Sequence, residues 1–175
     1  MKKIVKIIFI TSLLIFIAGV ACIGFYVASI YSKATKIELN EEKLTSPSLA
    51  IAIYDSDNKQ IKEENMFNGK YIKYQQIPSQ TIDAFTSIED KEFFNHHGVN
   101  YKRIASAMLS NIKSGKLKEG ASTITQQLVK NTQLTSEKTF ERKIKEIALA
   151  KKLESRFSKE DIMEQYLNII YFGNN

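Results

Sequence analysis

The pattern of apolar and polar positions divides the chain into three stretches. Residues 7–30 carry no charged side chain. At about 1.5 Å rise per residue that run makes roughly 36 Å of helix, enough to cross a hydrocarbon core of about 30 Å. Residues 31–48 are polar, hold Pro47 and read as a stalk. Residues 49–54 alternate as a short strand, Asp55 to Asn58 supply a turn, and a second extended piece follows near 59–63. From Pro78 onward the period becomes helical. Ser79 is placed to cap a helix running through Asp90. Asn100 caps a second, with Tyr101, Ile104, Ala105, Met108, Leu109 and Ile112 on one face, and Gly115 ends it. Ser122 caps a third through Asn131. Ser136 begins a fourth with Phe140, Ile144, Ile147 and Ala148 facing one way. A capping box from Ser158 to Asp161 opens a fifth, with Ile162, Met163, Tyr166, Leu167 and Ile170 inward, stopping near Gly173. The fold class is therefore mainly α: a cytoplasmic tail at 1–6, a transmembrane anchor at 7–30, a stalk with a short hairpin at 31–76, and a helical domain at 77–175.

Charge orients the anchor. Lys2, Lys3 and Lys6 precede the apolar run, so the positive-inside rule puts the N-terminus in the cytoplasm and everything after about residue 31 outside the cell. A cleaved signal peptide has a shorter apolar region. The weak lipoprotein-like stretch before Cys22 has Gly19 where Leu is usual, and the apolar run continues past it. Cys22, the only cysteine, is left without a disulfide partner. Three lysines of the formal +6 net charge lie on the inner side, so the outer part is only mildly basic, with its basic residues interleaved with Glu over 102–159. Nucleic acid is a poor partner for that location, and the basic residues lack interleaved aromatics. Anionic lipid head groups or a lipid diphosphate fit better. The fifth helix has little sequence after it to cover its apolar face, so the chain reads as ending inside a domain.

Three constellations carry candidate chemistry. Ile82, Phe85 and Glu89 fall at i, i+3 and i+7, which sets a carboxylate on the apolar stripe of a helix. Partial desolvation makes such a carboxylate a better base, whereas the bland reading is an acid paired with Lys91 or Arg103. Downstream, His96 reads as structural, His97 as surface, and Gly98 as a turn. The second constellation is Gly120 through Gln127. A glycine before a Ser/Thr-rich helix start offers N–H groups and hydroxyls to an anion, and Gln126 and Lys130 lie at i and i+4. The third is Arg142 and Glu146, an i, i+4 pair that pattern alone leaves open between a surface salt bridge and a site.

Together these stretches resemble the peptidoglycan glycosyltransferases of glycosyltransferase family 51, the lysozyme-like enzymes found as monofunctional transglycosylases and in class A penicillin-binding proteins. Glu89, Asp90, Phe93, His96 and Gly98 match the first motif. Gly120, Ser122 to Gln127, and then Lys130 and Asn131, match the second. Arg142, Lys143 and Glu146 match the third. Lys159, Ile162 to Glu164, Tyr166 to Asn168 and Tyr171 to Gly173 match the fourth. Asn100 stands where many relatives have Asp, and Lys138 where Arg is common. The fifth motif would lie beyond Asn175, and the hairpin region resembles the segment before the transferase domain of bifunctional members, which suggests a following transpeptidase domain.

The resemblance implies polymerisation of lipid II into β-1,4 glycan strands with release of undecaprenyl diphosphate at the outer membrane face. It implies Glu89 as base and Glu146 as a second catalytic carboxylate that orients cations or holds a divalent ion such as Mg or Mn. Asp90, Phe93, Ser122, Thr123, Gln126, Gln127, Lys130, Lys138 and Arg142 are the implied substrate-binding residues. Lipid II, the nascent strand, the bacterial membrane and proteins of division or elongation are the implied partners, and no cofactor is required. The alternative is a membrane-anchored helical module that binds glycans or lipids without chemistry.

Overall fold

Residues 2–45, 53–57, 60–61, 71–115 and 120–170 are described by the computed structural model. Helix α1 spans Lys2–Thr35, and its large side chains from Ile4 to Tyr26 are exposed, so the helix is apolar all round with no protein covering it. It is the one helix among the described residues long and apolar enough to cross a membrane. Its last turns differ: Ile30 and Ala34 are buried against a later helix, α6 (Phe140–Glu154). There Lys152 Nζ donates to the carbonyls of Thr35 at 3.2 Å and Ile37 at 2.6 Å, satisfying groups that a helix C-terminus leaves open.

The expected stalk does not hold over its first part. Residues 36–45 turn back onto the domain, and the short α2 (Glu42–Thr45) packs on α5 (Ile124–Gln133) and α7 (Lys159–Ile169). Leu39 and Leu44 are buried there; each such burial contributes about 1.5–3 kcal/mol, which two leucines in a polar stretch suffice to supply. Gln133 secures the turn by accepting from the Asn40 N–H at 2.8 Å and donating to its carbonyl at 3.0 Å. The hairpin is present in brief, with β1 (Ile53–Tyr54) antiparallel to β2 (Gln60–Ile61) and Asp55 Oδ1 accepting from the Asp57 N–H at 2.9 Å. Residues 46–52, 58–59 and 62–70 of the expected stalk, and Tyr171 to Asn175, lie outside the described residues.

Within the domain, α3 (Ser79–Glu89), α4 (Tyr101–Ser114), α5, α6 and α7 follow the expected order. Asn100 and Ser158 cap as expected, accepting from the N–H groups of Arg103 and Asp161. Three caps shift. Pro78 precedes α3, so Ser79 is its first residue; Thr123 rather than Ser122 caps α5; and Thr139 rather than Ser136 caps α6. In each of the latter two cases a threonine closer to the apolar run reaches the N–H three residues on, which the earlier serine cannot do.

Two expectations about apolar faces are reversed. The α7 face is covered: Ile162, Met163 and Tyr166 are buried against α5, the short 3₁₀ turn Tyr74–Gln76 and α2. The α4 face is open instead, with Tyr101, Met108, Leu109 and Ile112 exposed and Ala107 alone buried. Phe140, expected inward on α6, is likewise exposed, while Ile144 and Ala148 are buried. Periodicity identifies an apolar stripe but not its partner. The chain satisfies α7 with segments from before the domain, a long-range pairing that local pattern does not encode.

Candidate functional site

The site is built where α3 ends. Ile82 is buried and Phe85 half-buried, and the same stripe carries the half-buried Glu89 onto the inner face. Among the described residues its carboxylate pairs with no cation: Glu89 Oε2 accepts from Gln127 Nε2 of α5 at 2.7 Å. Arg103 of α4 donates instead to the main-chain carbonyl of Glu89, an acceptor left open by the helix end. The Gln127 amide is held from its other side by Tyr166 of α7, whose hydroxyl donates to Oε1 at 3.2 Å. Burial, and then the negative charge of Glu89, push the Tyr166 phenol up, so the hydroxyl keeps its proton. Phe85 meets the Tyr166 ring edge-on at 6.2 Å.

Behind Glu89 the chain ties α3 to the start of α5. Asp90 is fully buried, and its Oδ2 accepts from His96 Nε2 at 2.8 Å and from the Ile124 N–H at 3.1 Å. A carboxylate at a helix N-terminus is well placed electrostatically, and here it also turns the helix toward Glu89. His96 is thus structural, as expected, and His97 is exposed. Phe93 is fully buried, with Lys159 Nζ 4.5 Å over its ring. Lys159 also donates to Glu154 at 2.6 Å, and the same carboxylate oxygen accepts from Thr125 at 2.6 Å. Gly98 has φ +84°, and its carbonyl accepts from the Thr123 hydroxyl at 2.7 Å. A Cβ there would lie 2.8 Å from the Ala150 carbonyl of α6, so only glycine allows α6 to approach this turn.

The second cluster joins α6 to the approach to α5. Glu146, 2 % exposed, accepts from Lys143 and, at 3.3 Å, from Arg142. The Lys143 ammonium also donates to Ser122 Oγ at 2.7 Å. The third constellation is therefore not a solvated surface pair but a buried carboxylate holding two cations beside the hydroxyl that precedes the Thr123 cap. Thr123 and Gln126 are fully buried and committed to each other in a reciprocal capping box. Gln126 and Lys130 accordingly do not share a working face: Lys130 is exposed while Gln126 points into the core. Lys138 is exposed on the segment before α6.

Both Glu146 oxygens are engaged by cations, a donor set that does not suit a divalent ion. Among the described residues no group of three or more His, Cys, Asp or Glu side chains is placed to hold one. An open groove of about 690 Å³ runs between the end of α3, the start of α4 and Gly120, with Lys91, Glu92, Lys102 and Arg103 among its walls; Glu89 itself, turned inward to Gln127, does not line it.

Of the expected site residues, the structure brings Glu89 and Gln127 together, and joins Ser122, Arg142 and Glu146 through Lys143. Asp90, Phe93, Thr123 and Gln126 form the buried support, and Lys130 and Lys138 stand apart on the surface. Lys143 belongs to the third motif and Tyr166 to the fourth, but the sequence assigns neither a role in the site. Lys143 lies three residues from Glu146, a spacing as favourable as that of Arg142, which is a signal for its role; the helical period marks Tyr166 as inward-facing but gives no signal of its bond to Gln127.

The chain is similar to known proteins. A family profile described as transglycosylase matches residues 57–175. The chain is 40% identical over 163 residues to "Penicillin-binding protein 1A/1B" of Bacillus subtilis, covering 93% of this chain and 18% of that protein. It is also 40% identical over 182 residues to "Penicillin-binding protein 1A" of Clostridium tetani, covering 99% of this chain and 22% of the relative. A third relative, "Penicillin-binding protein 1A" of Clostridium perfringens strain 13, is 40% identical over 178 residues, 98% of this chain and 26% of its own length. The chain thus spans about a fifth to a quarter of the length of these relatives. With the match covering more than half of its residues, the chain belongs to the transglycosylase family.

Proposed function

We propose that the chain carries peptidoglycan glycosyltransferase chemistry, polymerising lipid II into β-1,4 glycan strands at the outer face of a bacterial membrane. One observation carries the reading: among the described residues a half-buried carboxylate, Glu89, is held by a neutral amide rather than neutralised by a cation. A carboxylate kept free of ion pairing retains the lone pair a general base needs. In the proposed step the 4-hydroxyl of an incoming lipid II attacks the anomeric carbon of the growing strand. The new C–O bond forms with inversion as the bond to the diphosphate breaks. The hydroxyl proton passes to Glu89, and the electron pair leaves with undecaprenyl diphosphate.

The departing diphosphate gathers negative charge, and Lys143 and Arg142 supply fixed positive charge next to the α5 start, with Glu146 as the carboxylate that positions them. Exposed Lys130 and Lys138 extend that field without contacts of their own to the buried cluster. Helix α1 is the membrane anchor in this reading, with the N-terminal lysines inside and the domain outside. Lipid II and the nascent strand are the substrates, the membrane is the surface at which they meet the enzyme, and division or elongation proteins are its partners. The test is polymerisation of labelled lipid II by the full-length protein and by Glu89→Gln. The variant keeps shape and hydrogen bonding but loses the base, so turnover should fall about 10²–10⁴-fold with the fold retained. Near-normal turnover would remove Glu89 from the role.

A further inference from the structure

We infer that Tyr166 is a positioning residue for Glu89, acting through the Gln127 amide. This rests on the reading of Glu89 as the general base. An amide has one accepting and one donating end, and either can face a neighbouring carboxylate. Only the donating end attracts an ionised one. In this protein the Tyr166 hydroxyl donates to Gln127 Oε1 at 3.2 Å, which leaves Nε2 to donate to Glu89 Oε2 at 2.7 Å. Hydroxyl, amide and carboxylate thus form one directed chain in which each bond polarises the next.

The surroundings keep that direction fixed. The Tyr166 side chain is buried against α5 and held edge-on by Phe85, so its hydroxyl cannot swing away to water. Several other charged groups near Glu89 are engaged elsewhere, and Lys91 and Lys102 line the groove, whose walls do not include Glu89. Arg103 of α4 donates to the Glu89 carbonyl, and Asp90 is taken by His96 and the Ile124 N–H. On α6, Arg142 and Lys143 are held by Glu146. Gln127 is therefore the group that aims the carboxylate, and Tyr166 is the group that aims Gln127.

The test uses the full-length protein with ¹⁵N-labelled glutamine, together with Tyr166→Phe, Gln127→Met and the double variant. Phe keeps the ring, its contact with Phe85 and the core volume, so melting should be little changed. The Gln127 side-chain N–H signal should move in Tyr166→Phe, and kcat should fall about tenfold while KM for lipid II holds, the loss expected for one orienting hydrogen bond. Adding Tyr166→Phe to Gln127→Met should cost nothing further, because the relay is already cut. An unchanged Gln127 signal, unchanged kcat, or additive losses in the double variant would each overturn the inference. The amide signal is independent of turnover, so it decides the positioning even if Glu89→Gln shows that Glu89 is not the base.

Discussion

Lys143 donates to the Ser122 hydroxyl at 2.7 Å while its ammonium is also held by the buried carboxylate of Glu146. One side chain of α6 thereby reads the position of the segment entering α5, and the two candidate constellations become a single electrostatic unit. In the proposed reaction a cation fixed in this way would cost little reorganisation as the diphosphate departs, which is what makes preorganised charge effective in catalysis.

Lys143→Ala should therefore lower lipid II turnover by about 10²–10³-fold, the loss typical of removing one preorganised donor. Lys143→Arg should recover part of it, because charge is kept while the bond to Ser122 is remodelled. Arg142→Ala, which removes the longer contact to Glu146 at 3.3 Å, should cost less. Polymerisation assays on the three variants give the order; equal losses for both alanine variants would mean that the Ser122 contact has no special weight.

Lys152 joins the membrane helix to the same α6. Its ammonium donates to the carbonyls of Thr35 and Ile37 and lies 3.9 Å from Glu38. Lys152→Met keeps the apolar stem and removes those bonds. Amide exchange over residues 36–39 should then quicken roughly tenfold, the effect of losing a hydrogen bond to a charged group, while the domain core stays protected. Mass-resolved hydrogen exchange in detergent reads this directly, and unchanged exchange would show that Leu39 and Leu44 hold the junction alone.

These contacts mark where sequence reading succeeded and where it stopped. Glu89 was legible because three residues at helical spacing fix a face, and that face is indeed the inner one. Asn100, Gly115 and the box from Ser158 to Asp161 were legible because caps are local chemistry. What failed was long-range. The docking of Leu39 and Leu44, the cover over α7 and the open face of α4 depend on which distant segment meets which stripe. Asp90 and Phe93 belong to the first motif and Thr123 and Gln126 to the second, yet the structure buries all four, and a motif alone does not separate a residue that touches substrate from one that holds its neighbour.

Gly98→Ala should test the closeness of α6 to the first motif. The residue sits at φ +84°, and a Cβ would meet the Ala150 carbonyl at 2.8 Å, so the variant combines backbone strain with a clash against backbone. A loss of about 2–4 kcal/mol follows from the two effects together. Gly115→Ala is the control: φ is +63° there but nothing lies within 4 Å of the added Cβ, and about 1–2 kcal/mol is expected. Denaturant melts of both variants should separate by the cost of the contact, and coincident melts would mean that α6 gives way freely.

Alkaline pH should loosen the packing around α7. Burial raises the phenols of Tyr71 and Tyr166 above their ordinary range, with Glu164 adding to the first and Glu89 to the second. Tyr71 donates to Glu164 at 2.6 Å, and that carboxylate also accepts from the Tyr74 N–H, so the contact joins the segment before α3 to α7. The sign follows from linkage. A group whose folded pKa exceeds its unfolded value stabilises the fold fully below the unfolded value, about 10 for tyrosine, and loses that contribution as pH rises through the folded value. The melting temperature should thus be level with respect to these groups up to about pH 9.5 and fall above about pH 10. Lys151, raised by its contact with Tyr101, acts in the same direction. Tyr71→Phe removes one titrating group and should flatten part of the alkaline fall while lowering stability at neutral pH through the lost bond to Glu164. If the variant fell as steeply as the parent above pH 10, Tyr71 would not be among the groups that set the alkaline limit of this fold.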